Sequence, residues 1–455
     1  MALKDIETIV IVIMENRSFD HMLGYLSLDG ALGVEGLKSD VAWQSSLQNR
    51  YLGNDYPIFR IAPDSVPCSD PQHDQHSIAV QISSAPVGPG PTEMGGFVES
   101  YVRFSNPVPT DPGAVMGYFD AGSAPTFDFF AKNYCVCDHW FASLPLGTQA
   151  NRLMAMAGYS LLIDNAGVML PEEDLVYDWL TRNNITWRAY QSGDFLPFFT
   201  LMPAWLPEIA TSLTLDQLAG GGRFRRYTSL AADWNADAPM PSVIFIEPEY
   251  TDGPNTSPND DHAPTGIAPG QAFLADIYRT LTSNPARWEK TLLVVTYDEH
   301  GGFFDHVPPM NVAATINGTA IQTTGVRVPA FLISPYVAPG VVFDCPLDHT
   351  ALLQLLDDRF SPGHGYSDAV NARTAHFDRI SNALLDVPTG VPTPQFSAAG
   401  AIASATKAAA PAAPNTANAQ AWDKTARKLA AEHPDLIAQK GWEKLNQYLA
   451  STPPR

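Results

Sequence analysis

The sequence predicts an α/β fold, a central and mainly parallel sheet flanked by helices, and three observations predict it. Short runs rich in β-branched residues recur along the chain, at 6–14 (IETIVIVIM), 291–297 (TLLVVTY) and 328–336 (VPAFLISPY). Helical spacing of apolar residues appears at 270–281 and again at 348–358. Long Pro/Gly-rich stretches, notably 52–126 and 248–270, separate the regular segments.

In chain order, the run 6–14 is short and almost wholly apolar from Ile9, which suits a strand covered on both faces. Alternation of such strands with helices implies parallel neighbours, and sheets of that kind place ligands at the carboxyl ends of their strands. Loops as long as 52–126 and 248–270 are uncommon in compact domains unless they serve as lids or binding walls, so both are expected to wall a pocket. The strand 291–297 follows one helical pattern, and the strand 328–336 precedes the other. Past residue 395 the composition shifts to Ala, Pro, Ser, Thr and Asn. That shift divides the chain into a main domain (1–395), a low-complexity linker (396–420) and a helical tail (421–455). Pro434 breaks the tail, and Leu429, Leu436, Ile437, Trp442, Leu445, Tyr448 and Leu449 give it an interrupted apolar face. Docking of that face on the main domain, or on a partner as an oligomer contact, is favoured over transient membrane contact by the tail's basic side chains.

At 455 residues and 45% hydrophobic content the chain can bury a substantial core. Its 27 basic and 48 acidic side chains give a formal charge of −21, which argues against a nucleic-acid surface and against attraction to anionic membranes. A neutral or zwitterionic substrate, or a metal offsetting local charge, fits better. Cys68, Cys135, Cys137 and Cys345 are too sparse for a disulfide scaffold and lack zinc-type spacing, so they read as ordinary thiols with a Cys68–Cys345 bridge left open. No run of about 18 apolar residues occurs. Lys4, Asp5 and Glu7 lead straight into strand material with no signal-peptide pattern. The expectation is a chain that is cytoplasmic at synthesis, with export by a route that reads no such signal left open.

Four polar clusters sit at strand or loop ends. Glu15-Asn16-Arg17 with Asp20 and His21 ends the first strand; SDPQHDQH (69–76) carries His73; LPLGTQANRLMAMAG spans 144–158; and YDEHGGFFDHVPP (297–309) carries Asp298, Glu299, His300, Asp305 and His306. Such groups must satisfy one another or hold something, because burying each unpaired costs several kcal/mol. Adjacent carboxylates raise one another's pKa unless a cation compensates. With Glu15 and Asn16, Asp298 and Glu299 form an all-oxygen set suited to one divalent ion, Ca²⁺, Mn²⁺ or Mg²⁺, while flanking histidines leave Zn²⁺ or Fe open. Gly301-Gly302 lets the backbone turn tightly past whatever they bind. Thr148 stands where the chain becomes helical, an N-cap position whose first-turn N–H groups suit an oxyanion or phosphate. Taken singly, these features have blander readings: a helix cap, and acids paired with nearby Arg.

ENRSFDH, GTxxNR and DEHGGFFDHVPP in that order resemble, over about residues 5–385, the bacterial phosphoesterase family that contains phosphatidylcholine-type phospholipases C and a group of acid phosphatases. The resemblance implies an alkaline-phosphatase-like fold and one divalent metal beside a hydroxyl nucleophile. By motif matching it implies Glu15, Asn16, Thr148, Asp298 and Glu299 as metal ligands, with Thr148 the nucleophile. It implies His73, His262 and His306 as candidate acid–base groups, and Asn16, Asn151, Arg152 and His349 as candidate phosphate contacts. Two departures stand out. Ala150 and Gly147 stand where the family usually or often has Pro, and either is expected to loosen the nucleophile turn.

The activity so implied is metal-dependent hydrolysis of a phosphoric ester through a phospho-Thr148 intermediate, as a phospholipase C on phosphatidylcholine-like substrates or, alternatively, as an acid phosphatase on phosphomonoesters. Trp140, Tyr118, Phe119, Tyr190 and Tyr250 are candidates for an aromatic box around a choline headgroup. A sulfatase would need Cys or Ser within CxPxR or SxPxR; none of the four cysteines has that context, and SLPLG at Ser143 lacks the Arg. From a different class, a non-catalytic binding module stapled by its metal would have a coordinatively closed site beside Thr148.

Overall fold

The computed structural model describes the chain apart from residues 1, 29, 31, 63–67, 84, 88–89, 93, 194, 220, 254–256, 397–415 and 453–455. Most of the expected linker at 396–420 therefore lies outside the described residues. Eight strands form the main sheet: β1 (Thr8–Met14), β2 (Cys135–Cys137), β3 (Trp187–Gln191), β4 (Phe224–Arg226), β5 (Val243–Glu247), β6 (Thr291–Tyr297), β7 (Ala330–Ile333) and β8 (Val341–Phe343). Their spatial order is β4-β3-β5-β1-β6-β7-β2-β8. The ladders from β4 to β6 are parallel, β7 runs antiparallel to both neighbours, and β8 is parallel to β2. The sheet is mainly parallel, as the alternation of strands and helices suggests, with the run around 328–336 supplying the reversed strand.

The centre of the sheet explains the lack of alternation in its sequence. All seven residues of β1 are buried, between β5 and β6 and under helices, and each fully buried Ile or Val contributes roughly 1.5–3 kcal/mol. Register then sets the chemistry: Met14 stands opposite Tyr297, so the next residues of these parallel strands, Glu15 and Asp298, leave the sheet side by side. The Asp298 N–H donates to Met14 O at 3.1 Å, and the loop after β5 crosses the same edge, where Glu15 N–H donates to Asp260 O at 2.9 Å.

Five helices matter to this edge: α1 (Phe19–Leu23), α2 (Gln75–Gln81), α3 (Thr148–Ala157), α4 (Ala268–Thr282) and α5 (Thr350–Phe360). The stretch 52–126 holds α2, a further helix at Phe97–Phe104 and a small apolar cluster in which Ile58, Phe97, Val98 and Val115 meet Phe304 of the fourth motif. The tail begins earlier than its composition suggests and forms α6 (Ala417–Glu432), α7 (Pro434–Ile437) and α8 (Glu443–Ser451), with Pro434 at the break. Its Trp422, Leu429, Ile437, Trp442 and Leu445 join the main hydrophobic core. Among the described residues no helix is long and apolar enough to cross a membrane. All four cysteines are free thiols.

Candidate active site

The turn after β1 is built to aim side chains back over the sheet edge. Asn16 adopts φ +63°, a left-handed conformation that asparagine tolerates better than most residues. Its N–H donates to Asp298 Oδ1 at 3.1 Å, and Arg17 N–H donates to Glu299 O at 3.1 Å. Gly301, at φ +63°, lies so close that a Cβ there would stand 2.1 Å from the Asn16 carbonyl oxygen. Gly301 thus marks a close approach of two backbones, and it locks the first motif to the fourth.

Thr148 is the first residue of α3, and the N-cap is Gly147, which has no side chain to offer. Asn165 takes over that task from a separate loop: its Oδ1 accepts from Gln149 N–H at 2.8 Å. A Cβ on Gly147 would sit 3.1–3.3 Å from the Asn165 amide, so the glycine makes room for the cap. One first-turn N–H expected to face an oxyanion is therefore already bonded. Asn151, expected to contact phosphate, instead closes the turn, since its Oδ1 accepts from Leu144 N–H at 2.9 Å and its Nδ2 donates to Leu146 O at 2.7 Å and Leu144 O at 3.1 Å. Ala150 is buried among Leu144, Leu146 and Met154. The turn is held by these contacts despite both departures from the family pattern.

One helical turn beyond Thr148, on the same face, Arg152 reaches the strand ends. Its Nε lies 3.3 Å from Glu15 Oε1 and 3.7 Å from Asp298 Oδ2, and its terminal nitrogen donates to Ile13 O at 3.1 Å. The guanidinium lies 5.1 Å from the centre of the Tyr250 ring and 5.3 Å from that of Phe198. Burial opposes its charge, yet Tyr250, Glu15 and Asp298 hold its pKa above the ordinary value.

Two histidines converge on the same groups. His262 Nε2 lies 3.1 Å from Asp70 Oδ1 and its Nδ1 3.3 Å from Glu15 Oε2. His73 lies 3.8 Å from Asp70 and 3.9 Å from Glu299, with Nδ1 bonded to Pro71 O at 2.8 Å. Burial works against both imidazolium charges, but Glu299 and Asp70 raise His73 to about 9, and Asp70 and Asp252 lift His262 well above its usual range. Burial pushes Asp298 up to about 6 and raises Glu15. Glu299, although buried, is drawn below its ordinary value by His73.

The donor set fits a cation. Both Glu15 carboxylate oxygens, Thr148 Oγ1, Asp298 Oδ2 and His262 Nδ1 are buried with no hydrogen-bond partner. Such orphans are costly unless a ligand satisfies them. With the Asn16 amide oxygen turned inward, it faces Glu299 Oε1 at 2.9 Å and Asp298 Oδ1 at 3.3 Å with no proton between them; reversing the amide lets Nδ2 donate to both and Oδ1 accept from His262 Nε2 at 2.9 Å. The first orientation suits a bound cation and the second a cation-free site. Two groups of side chains here lie close enough to hold an ion, Asp70–His73–His262 and Glu15–Asp260–His262. Asp260, Asp70 and Asp252 are missing from the sequence reading. Asp70 at least stood in the quoted stretch 69–76 and Asp260 two residues before His262, whereas Asp252 and Asn165 had no local signal.

Two sequence candidates stand apart from this convergence. His349 accepts from Trp140 Nε1 at 3.1 Å on Nδ1, so its proton is on Nε2, which donates to Asp298 O at 2.6 Å. Burial pushes its pKa to about 4, and this neutral ring buttresses the Asp298 backbone. His306 joins a different cluster, with Nδ1 2.6 Å from Asp20 Oδ2. Of the aromatic candidates, Trp140 is thus committed to His349, Tyr190 bonds Asp233 at 2.6 Å from within β3, and Phe119 packs edge-on to His21 at 4.8 Å. Tyr250 alone among them touches Arg152.

The sequence pattern of the Phosphoesterase family matches residues 6–361. Non-specific phospholipase C1 of Arabidopsis thaliana is 31% identical over 366 residues, covering 75% of this chain and 63% of that protein. Non-specific phospholipase C4 of the same plant is 28% identical over 362 residues, 75% of this chain and 64% of that protein. Phospholipase C A of Mycobacterium tuberculosis is 27% identical over 401 residues, 79% of this chain and 73% of that protein. The chain thus spans somewhat less than two thirds of the length of these plant relatives.

Proposed function

The chain belongs to the Phosphoesterase family, and from that premise we propose that it is a phosphoric ester hydrolase acting as a phospholipase C on phosphatidylcholine-like substrates. The observation that carries the reading is the buried Thr148 hydroxyl left without a hydrogen-bond partner, one helical turn from an arginine that ion-pairs with oxygens of Glu15 and Asp298 that accept no hydrogen bond. The named relatives, phospholipases C of a plant and a bacterium, support the choice of substrate class.

Glu15, Asn16, Asp298, Glu299 and the Thr148 oxygen would hold a divalent metal ion, which would supply Lewis-acid charge to the reacting phosphoryl group. The protein's own groups do the rest. Thr148 Oγ1 bonds to phosphorus as the bond from phosphorus to the glycerol oxygen breaks, and the hydroxyl proton leaves to water. Arg152 presents fixed positive charge to the phosphoryl oxygens without reorganising. His262, kept protonated by Asp70, Asp252 and Glu15, gives its proton to the leaving alkoxide. The imidazole, now neutral, takes a proton from the water that attacks phospho-Thr148; phosphocholine is released, and the Thr148 oxygen regains from water the proton it gave up in the first step. Two in-line displacements give net retention at phosphorus.

Parallel assays on p-nitrophenylphosphorylcholine and p-nitrophenyl phosphate test this reading. It expects the diester analogue to be turned over with higher kcat/KM. A preference for the monoester makes the protein an acid phosphatase, and turnover of neither by metal-loaded protein leaves the binding module.

A further inference from the structure

The start of the C-terminal tail touches the proposed centre in three places. Asn418 Oδ1, on the first turn of α6, accepts a 2.8 Å hydrogen bond from Nε2 of Gln149, the residue next to Thr148. Thr416, which caps α6 by accepting from Ala419 N–H at 3.0 Å, donates its hydroxyl to Asp252 Oδ1 at 2.8 Å. The other Asp252 oxygen lies 4.0 Å from His262 Nδ1. Trp422 packs on Tyr250 at 5.0 Å between ring centres and edge-on to Phe198 at 6.1 Å, the two rings that cradle Arg152.

Anchoring alone does not account for this arrangement. The tail is already fixed elsewhere by apolar burial of Leu429, Ile437 and Leu445 and by Trp442, whose Nε1 donates to Thr214 Oγ1 at 2.8 Å. Asn418 is a polar side chain only 1% exposed, an expense that further anchoring does not need, since an apolar residue could fill the same space. Its partner is also a junction: Gln149 Oε1 accepts from Ala166 N–H at 2.7 Å, and its Nε2 donates to Ala166 O at 3.1 Å as well as to Asn418. Gln149 thus ties the nucleophile turn to the loop that caps it and to the tail. With Gly147 offering no side chain as a cap, the placement of Thr148 depends on these ties from outside the helix.

We propose that the start of α6 is a strap that positions the catalytic centre, with Asn418, Thr416 and Trp422 acting as positioning residues through Gln149, Asp252 and Tyr250 on Thr148, His262 and Arg152. The identity of the reacting groups rests on the function proposed above; the strap itself rests on the contacts just given. Small displacements of a nucleophile can cost about 10²-fold in rate, so the strap acts on turnover more than on substrate binding.

The test compares Asn418→Ala and the nearly isosteric Asn418→Asp, which keeps an accepting oxygen, in the full-length chain. Two readouts are used: kcat and KM on p-nitrophenylphosphorylcholine, and amide hydrogen exchange resolved by peptide. Asn418→Ala is expected to lower kcat about tenfold with KM within twofold, and to raise exchange about tenfold over residues 147–152 while β6 stays protected. Asn418→Asp is expected to restore both to within twofold. Unchanged exchange at 147–152 overturns the strap, as does a rise spread over the whole sheet, which would make the contact a general stability device. If the wild type turns over neither this ester nor p-nitrophenyl phosphate, the proposed function fails, and the exchange measurement still decides the strap.

Discussion

Two clusters of buried charge arise from the same two motifs and differ in how far they are satisfied. Around Glu15 and Asp298, carboxylate oxygens, a hydroxyl and an imidazole nitrogen remain without hydrogen-bond partners. A few residues on, Asp20, Asp305, His306 and Arg327 leave nothing over. Arg327 donates to Asp305 at 3.0 Å, to Asp20 at 3.2 Å, and to the carbonyls of Glu35 and Asp138 at 2.8 and 2.9 Å, while Asp20 Oδ2 accepts from both the N–H and the ring of His306. Composition cannot separate the two, since each could hold an ion by spacing alone. Saturation does: a cluster whose hydrogen bonds are complete is a staple, and one whose oxygens are orphaned is waiting for a ligand.

The largest effect should come from the unsaturated cluster. Thr148→Ala is expected to lower kcat by about 10⁴-fold, because it removes the hydroxyl that the proposed covalent step uses. Stability should not fall with activity. In the metal-free protein, removing a buried hydroxyl that has no hydrogen-bond partner relieves a desolvation penalty, so the denaturation midpoint should hold or rise by the equivalent of about 1 kcal/mol. Retention of more than a few per cent of kcat by a folded, metal-loaded variant would rule out the covalent route.

The saturated cluster should show the inverse pattern. Arg327→Met leaves Asp20 and Asp305 buried side by side without the guanidinium that bridges them, a change that costs about 3–5 kcal/mol. Urea denaturation measures it. A loss below about 1 kcal/mol would mean that the cluster is not a staple, and the contrast with Thr148 would collapse.

What the sequence made legible, and what it did not, follows the same division. The strands and their carboxyl-end chemistry could be read because β1 and β6 are uninterrupted apolar runs followed at once by polar residues, and parallel pairing in register carries Glu15 to Asp298. The family resemblance added the order of the motifs. Satisfaction could not be read, because it depends on partners far away in sequence. His306 looked like an acid–base candidate until Asp20, 286 positions earlier, turned out to hold it. Asn151 looked like a phosphate contact, yet its whole amide is used within seven residues. Asn165 and Asn418 gave no signal, since a lone asparagine in a loop or on a helix is unremarkable until its partner is known to be the residue after Thr148.

The smallest effect is the most discriminating, because it asks whether His306 serves as a charge in the staple. Burial opposes its protonation, but Asp20 outweighs that and holds the folded pKa above the ordinary 6.5. A raised pKa means that the pair contributes fully below pH 6.5 and loses its contribution as pH rises through the folded value. Asp20 is shifted the other way, below 3.8, despite its burial; its share is present above pH 3.8 and is lost only in stronger acid. His306→Gln keeps a donor but never a charge. It should therefore cost about 1 kcal/mol at pH 5.5, and the gap to the wild type should narrow steadily toward pH 9 as the wild-type imidazole also becomes neutral. Denaturant midpoints of both proteins across that range decide the matter: a gap that stays constant, or widens with pH, would show that the ring is held for its shape and hydrogen bond alone.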